Sequence, residues 1–241
     1  PVSGMRLNKF IGETGLCSRR EADELIAAGR VTLDGAVAVA GAKWAEGMAV
    51  CVDGKELKRK PAAKNRRRHV YIALNKPVGI TCTTDTADAS NIIDFIDHQE
   101  RIFPIGRLDK DSEGLILLTS NGDIVNRILR AENNHEKEYL VGVNKPVTEE
   151  FLRTMARGVH IHRQVTKPCK VSKLAKYGFR ITLTQGLNRQ IRLMSEALGY
   201  KVVQLRRVRI INVKLGTLKP GAWRNLSDAE LAGLLPDVKD W

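Results

Sequence analysis

One run of basic residues constrains the fold of this chain most. It spans residues 58–68, reads KRKPAAKNRRR and has no apolar periodicity, which is typical of a solvated linker. A segment of this kind separates domains, so we expect one domain over residues 1–57 and a second over residues 69–241. The length of 241 residues is sufficient for a small domain joined to a medium one.

Charge and composition narrow the class of partner. The net charge of +13 predicts a surface that attracts polyanions, and nucleic acid is the leading candidate. No apolar run approaches the roughly 20 residues that a spanning helix needs, so we expect no membrane partner. The 4 cysteines lie far apart without a C-x-x-C pair, which indicates neither a zinc knuckle nor a disulfide framework. No secretory signal is visible, and we expect a cytoplasmic protein.

The amino-terminal segment predicts two short helices and a small sheet. Apolar residues within 7–11 fall at helical spacing. Ser18 and Glu21 have the spacing of a capping box, which indicates that a second helix begins there. Asp-Gly pairs at 34–35 and 53–54 follow alternating apolar residues and predict hairpin turns.

The carboxyl-terminal segment predicts an α+β domain. Strand-like runs lie at residues 71–77, 114–119, 137–143, 179–186 and 205–215. Helices are predicted at 91–98, 123–130, 148–157, 189–198 and 227–235. The connections between strands differ greatly in length, and some are too short for a parallel crossover. We therefore expect a mixed, mainly antiparallel sheet with flanking helices.

Basic side chains cluster around the two amino-terminal helices. They are Arg6, Lys9, Arg19, Arg20 and Arg30. Cations in the first turn of a helix oppose its dipole, so the pair Arg19 and Arg20 is tolerated best if an anion also binds at that end. The alternative is a solvated charged face. The stretch from Arg6 to Gly35 resembles the small RNA-binding domain first described in small-subunit ribosomal protein four, and this resemblance implies contacts with RNA phosphates.

The run GRLDKDSEGLILLT, residues 106–119, sets a carboxylate in a polar loop directly ahead of an apolar strand. We place the chemistry at Asp109. A calcium loop fits the first positions, but its twelfth position would be Ser120 rather than Glu. A glycosidase-type pair of Asp109 and Asp111 would need one acid protonated near neutral pH, which the adjacent Arg107 and Lys110 oppose. A charged turn without catalytic role is the remaining alternative.

Other residues strengthen the catalytic interpretation. QGLNRQIRLM, residues 185–194, places Arg189 and Arg192 three positions apart on a predicted helix, where they can pair with a carboxylate and approach RNA phosphates. Tyr139 is expected to project from its strand on the same side as Lys137, because strand side chains alternate. Tyr139 alone would fit a core tyrosine equally well.

Together these segments resemble the pseudouridine synthases, and within them the branch of bacterial ribosomal-RNA enzymes called RsuA, RluB, RluE and RluF. Four segments carry the resemblance in order: NKPVG (75–79), GRLDKDSEGLILLT (106–119), KEYLV (137–141) and GLNRQIRLM (186–194). The segment from Leu205 to Leu226 resembles the closing part of these enzymes. It departs from many members at Ile211-Asn212, where they carry Gly-Pro.

The resemblance implies an isomerisation without cofactor or metal, in which the base of a uridine leaves ribose carbon 1 and rejoins it through carbon 5. Asp109 corresponds to the essential aspartate, and we expect Arg192 to pair with it and favour its ionised form. Tyr139 corresponds to the tyrosine that stacks on the base, and Arg107 to the arginine that replaces the flipped nucleotide. Whether Asp109 bonds the base, bonds the sugar or abstracts a sugar proton stays open. Further RNA contacts are expected from Lys76, Asn188 and Arg189.

The expected partner is structured RNA, most specifically 23S ribosomal RNA, with small-subunit ribosomal RNA or tRNA as alternatives. A monomer is the expected state, since no exposed apolar stripe is evident. A non-catalytic RNA-binding protein is the hypothesis from another class, and it predicts indifference to Asp109. A metal-dependent nuclease is disfavoured, because His160 and His162 are more typical of a strand surface than of a metal site.

Overall fold

The computed structural model describes residues 4–58, 69–129 and 134–236. The chain divides into two compact units, residues 1–67 and 68–241. We call them the small unit and the large unit. Most of the basic linker expected at 58–68 lies outside the described residues, and so do both ends of the chain.

The small unit contains two helices and six short strands among its described residues. The helices are α1 (Leu7–Glu13) and α2 (Arg19–Ala27), and the strands are β1 (Met5–Arg6), β2 (Val31–Leu33), β3 (Ala36–Val37), β4 (Lys43–Trp44), β5 (Val50–Val52) and β6 (Lys55–Glu56). Strands β3-β2-β5-β6 form one sheet, and β1 pairs with β4. Apolar side chains from both helices pack on this sheet in one core.

Local signals explain these elements. Ser18 accepts a hydrogen bond from the backbone N–H of Glu21, and the Glu21 carboxylate accepts one from the N–H of Ser18, so the capping box at the start of α2 is confirmed. Asp34 and Asp53 have φ values of 51° and 50°. Both therefore occupy the left-handed conformation that a two-residue hairpin turn requires, and the two predicted hairpins are confirmed.

The large unit is an α+β domain, as predicted. Its helices are α3 (Ile92–Ile96), α4 (Gly122–Leu129), α5 (Glu149–Arg157), α6 (Gln190–Ala197) and α7 (Asp228–Leu234). Its strands are β7 (Tyr71–Lys76), β8 (Phe103–Ile105), β9 (Glu113–Thr119), β10 (Lys137–Val143), β11 (His160–Ile161), β12 (Gln164–Val165), β13 (Lys170–Ala175), β14 (Gly178–Leu183), β15 (Val202–Ile210), β16 (Val213–Lys214) and β17 (Trp223–Asn225).

The main sheet has the order β13-β14-β10-β15-β9-β7-β17, with β8 paired to β9 and β16 to β15. All of these pairs are antiparallel except β9 with β15. The prediction of a mixed, mainly antiparallel sheet is confirmed. A separate hairpin joins β11 to β12.

One predicted strand is wrong in its extent. The run 205–215 does not continue as a single strand, because Ile211 adopts a φ of +54° and the chain reverses there into the β15–β16 hairpin. The short strands β8, β11, β12, β13 and β17 were not predicted. They lack a long apolar or alternating pattern, and they form through pairing with other strands, which the local sequence does not encode.

Strand β9 is the rigid element behind the candidate site. Its side chains alternate between two cores, with Leu115 and Leu117 in one and Ile116 and Leu118 in the other. All four are at most 1% exposed. Since β9 is buried on both faces, the loop that precedes it is attached to a fixed edge of the sheet.

Gly114 allows β9 and β15 to approach closely at this edge. Its φ is +107°, and a Cβ atom there would lie 2.2 Å from the carbonyl oxygen of Arg207. Gly114 and Arg207 are opposite each other in the short parallel contact between the two strands. A glycine is therefore required both for conformation and for space.

Candidate active site

A cavity of about 700 Å³ opens in the large unit beside Asp109. Its walls come from the loop 105–109, the first residues of β10, the segment 183–191 and the later half of β15. Asp109, Tyr139, Lys137, Arg189 and Arg207 are among the side chains that line it. Residues far apart in the sequence thus meet around one space large enough for a nucleoside.

The Asp109 loop is held by local hydrogen bonds. Leu108 is buried at 7% exposure, and the carbonyl of Asp109 accepts a hydrogen bond of 3.0 Å from the N–H of Ser112. The resulting tight turn leads directly into β9. The Asp109 carboxylate is 33% exposed, and its Oδ2 lies 3.6 Å from an Nη atom of Arg189. A partly exposed acid on a rigid edge fits the expectation from sequence.

The cations beside this loop are arranged differently from our prediction. Arg189 donates to both carboxylate oxygens of Asp111, at 3.1 and 2.9 Å. Arg192 donates to the hydroxyl of Ser112 and to the carbonyl of Asp111, both at 3.0 Å. Arg192 therefore lies against Asp111 and Ser112, and the ion pair that we predicted between Arg192 and Asp109 was wrong. Arg189 is the cation near Asp109.

The backbone conformation explains why Arg189, rather than Arg192, lies near Asp109. Arg189 precedes helix α6 and has a left-handed φ of +51°, so the two arginines do not share one helical face. The turn at 109–112 presents Asp111 to both of them. The hydrogen bond from Arg189, followed by the charge of Arg192, holds the pKa of Asp111 below its ordinary value. Asp111 therefore stays ionised and neutralises both cations beside Asp109.

Tyr139 is placed over the same cavity by the strand register. It lies opposite Arg207 on β15, and Lys137 lies two positions earlier on β10. Side chains at i and i+2 of a strand share a face, and opposite residues on paired strands do so too. The expectation that Tyr139 and Lys137 project to one side agrees with the structure, since both line the cavity.

Lys76 is not available for RNA. It is 0% exposed, and its ammonium group donates to the carbonyls of Pro77 and Ile80, each at 2.9 Å. Burial lowers its pKa. The predicted RNA contact at Lys76 was wrong, because the buried ammonium group of this lysine stabilises the turn after β7.

Arg107 and Asn188 are exposed at the rim of the cavity. The carbonyl of Asn188 lies 2.9 Å from Nε2 of His162, so the β11–β12 hairpin supports this rim. Both residues are placed where a bound RNA could reach them. Their roles stay predictions.

In the small unit, Arg6, Lys9 and Arg19 line a second cavity, of about 330 Å³. Arg20 is exposed in the first turn of α2. Arg30 differs, because its guanidinium binds both oxygens of Asp53, at 2.8 and 2.5 Å, and so supports the turn at 53–54. The structure therefore brings three of the five predicted basic residues together and gives Arg30 a structural partner.

Sequence reasoning missed Arg207 as part of the site. It is one of several arginines in the run LRRVRI, and only the alternation of β15 could have distinguished its face. Arg207 is 4% exposed and lines the cavity opposite Tyr139. Lys137 was noticed only as a neighbour of Tyr139.

Metal-ligand clusters and membrane-spanning helices are absent from the residues that the structure describes. Within 4–58, 69–129 and 134–236, no group of three or more His, Cys, Asp or Glu side chains could hold a metal ion. In the same ranges, no helix combines the length and the apolar character needed to cross a membrane.

The sequence matches the models of two known families. The family described as RNA pseudouridylate synthase matches residues 70–197, and the S4 domain matches residues 5–43. The chain belongs to the pseudouridine synthases. The dual-specificity RNA pseudouridine synthase RluF of Escherichia coli (strain K12) is 56% identical over 240 residues, which cover 100% of this chain and 81% of that relative.

Two further comparisons agree. Ribosomal small subunit pseudouridine synthase A of Salmonella typhimurium is 34% identical, over 95% of this chain and 100% of that relative. A crystal structure of a pseudouridylate synthase matches with a TM-score of 0.68 at 31% identity, over 95% of this chain and 99% of that chain. The expected family is confirmed, and the chain is more similar to the RluF relative than to the small-subunit enzyme.

Proposed function

We propose that this enzyme converts specific uridines in 23S ribosomal RNA to pseudouridine, with Asp109 as the catalytic residue. The observation that carries the proposal is the position of Asp109. It is the carboxylate on the rigid edge of β9 that faces the cavity without a bidentate arginine, whereas Asp111 is fully engaged by Arg189 and Arg192.

The reaction requires a negative group beside ribose carbon 1. As the glycosidic bond breaks, positive charge develops at this carbon, and a carboxylate stabilises it by attack or by electrostatic attraction. Arg189 lies 3.6 Å from the carboxylate of Asp109. Tyr139 lines the cavity on the side of the sheet and is the side chain on which the uracil ring stacks. Arg192 acts indirectly, by fixing Asp111 and Ser112.

The target base must leave its RNA helix before it can reach Asp109. Arg107 is exposed at the cavity rim, two residues before the carboxylate, and we assign to it the place that the flipped nucleotide vacates. Asn188 and Arg189 then contact the neighbouring backbone. In the small unit, Arg6, Lys9, Arg19 and Arg20 bind phosphates of the same RNA.

The identity of the RNA rests on the relatives. Their name RluF and the net charge of +13 support a large structured RNA as substrate. The relatives are also named dual-specificity enzymes, which supports a second RNA substrate, for which tRNA is our candidate. We further propose a monomeric, cytoplasmic enzyme with domains at 1–57 and 69–241 joined by the basic linker.

Release of tritium from carbon 5 of uridine tests this proposal. Unmodified 23S RNA, 16S RNA and tRNA, each labelled at this position, are incubated with the protein without added metal. We expect release from 23S RNA and a smaller release from tRNA. Release from 16S RNA alone would overturn the choice of substrate, and binding to 23S RNA without release from any RNA would favour a non-catalytic RNA-binding protein.

A further inference from the structure

Besides Arg107 at the exposed rim, two cations that line the catalytic cavity have no acidic partner among the described residues. Lys137 and Arg207 both line it, and neither lies within 4.0 Å of a carboxylate in the part of the chain that the structure describes. Arg189 and Arg192, in contrast, are paired with Asp111. A buried charge is costly unless an opposite charge or strong hydrogen bonds compensate it.

Arg207 is anchored but not neutralised. Its Nε donates to the carbonyl of Leu115 at 2.7 Å, and one Nη donates to the carbonyl of Arg107 at 3.3 Å. Both acceptors are backbone groups, so the positive charge keeps its full value in a side chain that is only 4% exposed. The anchoring also fixes the direction of the guanidinium, which is a condition for binding a planar ligand.

Lys137 lies beside this arginine. Burial lowers the pKa of Lys137, and the charge of Arg207 lowers it further. On the sheet, Lys137 is separated from Tyr139 by one residue, and Tyr139 is opposite Arg207, so the three side chains form one patch on the floor of the cavity.

We propose that Lys137 and Arg207 form an anion subsite that binds the detached uracil base in its anionic form. This inference rests on the proposed function and assigns two further catalytic residues to the same reaction. The patch faces the cavity that also holds Asp109, so the enzyme separates the two charges that the bond cleavage creates: positive charge at the sugar near Asp109 and negative charge at the base over Lys137 and Arg207.

The charges balance along the reaction. The bond between ribose carbon 1 and N1 breaks with its electron pair on N1, and the negative charge spreads over N1 and both carbonyl oxygens of the ring. The ring then turns, and carbon 5 uses the electrons of its double bond to form the new bond to carbon 1. The proton on carbon 5 passes to the solvent and N1 takes up a proton from the solvent, which gives the isomer without an oxidant or a reductant.

A backbone phosphate is the other anion that could occupy the patch. The surroundings favour the base, because Leu205, Ile210 and Tyr139 line the same cavity and offer apolar area to a flat ring. A phosphate is strongly hydrated and would leave this area uncovered. Arg107 and Asn188, at the exposed rim, are better placed for phosphates.

The test uses free bases, so it does not depend on the choice of RNA. The probe is 5-nitrouracil, whose nitro group acidifies the ring N–H and whose absorption spectrum distinguishes the anion from the neutral form; binding is measured at a mildly acidic pH at which both forms of the free probe are present. We expect the full chain to bind 5-nitrouracil at least about tenfold more tightly than uracil and to shift its spectrum toward the anion. Lys137→Gln should lose this preference, whereas Lys137→Arg should keep most of it.

The matched control is Lys173→Gln, which removes one positive charge from the exposed edge strand β13. It should leave the preference for the anion unchanged. Arg207→Lys is the variant of choice at the second position. It retains the positive charge of the buried arginine, so it is less prone to misfold than a neutral substitution. In tritium release, Lys137→Gln should lower kcat by roughly a hundredfold with KM for RNA within about threefold, because the anion forms only during the reaction.

The outcomes separate this inference from the proposed function. Equal binding of uracil and 5-nitrouracil would overturn the anion subsite even if the wild type converts uridine. If inorganic phosphate competes with 5-nitrouracil, binds with equal affinity and depends on Lys137 in the same way, the assignment of the subsite to the base would be overturned. Anion preference without tritium release from any RNA would support the subsite and contradict the proposed function.

Discussion

Substitution of Gly114 by alanine should separate the two central strands behind the catalytic loop. The new Cβ would lie 2.2 Å from the carbonyl oxygen and 2.7 Å from the nitrogen of Arg207. Both are backbone atoms, so no side-chain rotation can relieve the overlap, and β15 must move. Gly79→Ala is the matched control, because Gly79 also has a positive φ, of +96°, but no atom within 4 Å of the added Cβ.

The difference between the two variants isolates the clash. Each alanine adopts an unfavourable φ at a cost of about 1–3 kcal/mol. At Gly114 alone, overpacking lowers the free energy of unfolding by a further amount of about 1–3 kcal/mol. We expect about 2 kcal/mol, because the added Cβ overlaps backbone atoms rather than a movable side chain. With a urea dependence of about 2 kcal/mol per M, the unfolding midpoint of Gly114→Ala should lie about 1 M below that of Gly79→Ala.

Circular dichroism in a urea series measures both midpoints. Tritium release provides the functional readout, and it should fall more in Gly114→Ala, since Arg207 also holds the carbonyl of Arg107 in the catalytic loop. Equal midpoints for the two variants would refute the reasoning, because they would show that β9 and β15 do not need the close approach.

Two further substitutions test the packing of the large unit. Two hydrogen bonds from Arg224, at 2.7 and 2.8 Å, are the main reason that the pKa of Glu230 falls to about 2 from its ordinary 4.5. Because the folded-state pKa is depressed, the stabilisation is complete above pH 4.5 and is lost as the pH falls through about 2. Glu230→Gln should lower the free energy of unfolding by about 1 kcal/mol at pH 7, after allowance for solvent screening, and by progressively less as the pH falls from 4.5 through 2. Lys76→Met should lower the free energy of unfolding, measured in urea, by about 1–3 kcal/mol, because the carbonyls of Pro77 and Ile80 lose their buried donor. Unchanged stability would show that the buried ammonium group is dispensable.

Local signals made much of the fold predictable. The capping box at Ser18 and the Asp-Gly turns act within a few residues, so their effect can be read without knowledge of the rest of the chain. The buried strand β9 was equally clear, since an uninterrupted apolar run of this length is typical of a strand covered on both faces. The turn at Ile211 was not predictable, because a β-branched residue rarely adopts a positive φ.

The candidate site was predictable at Asp109 but not in its ion pairs. The spacing of Arg189 and Arg192 suggested a shared helical face, yet the helix begins one residue after Arg189, and the loop presents Asp111 rather than Asp109 to Arg192. Such contacts join segments about eighty residues apart, and no local pattern encodes them. The burial of Lys76 was hidden for the same reason, because only the folded chain supplies its carbonyl partners.

The role of Asp109 is tested most directly by Asp109→Asn and Asp111→Asn side by side, with tritium release from 23S RNA and RNA binding measured on the same preparations. Both variants remove one negative charge from the same turn, so a general effect of charge would alter them equally. Our account predicts that Asp109→Asn loses turnover by at least about a thousandfold while RNA binding stays within a few fold, and that Asp111→Asn keeps measurable turnover. Turnover by Asp109→Asn within about tenfold of wild type would contradict it.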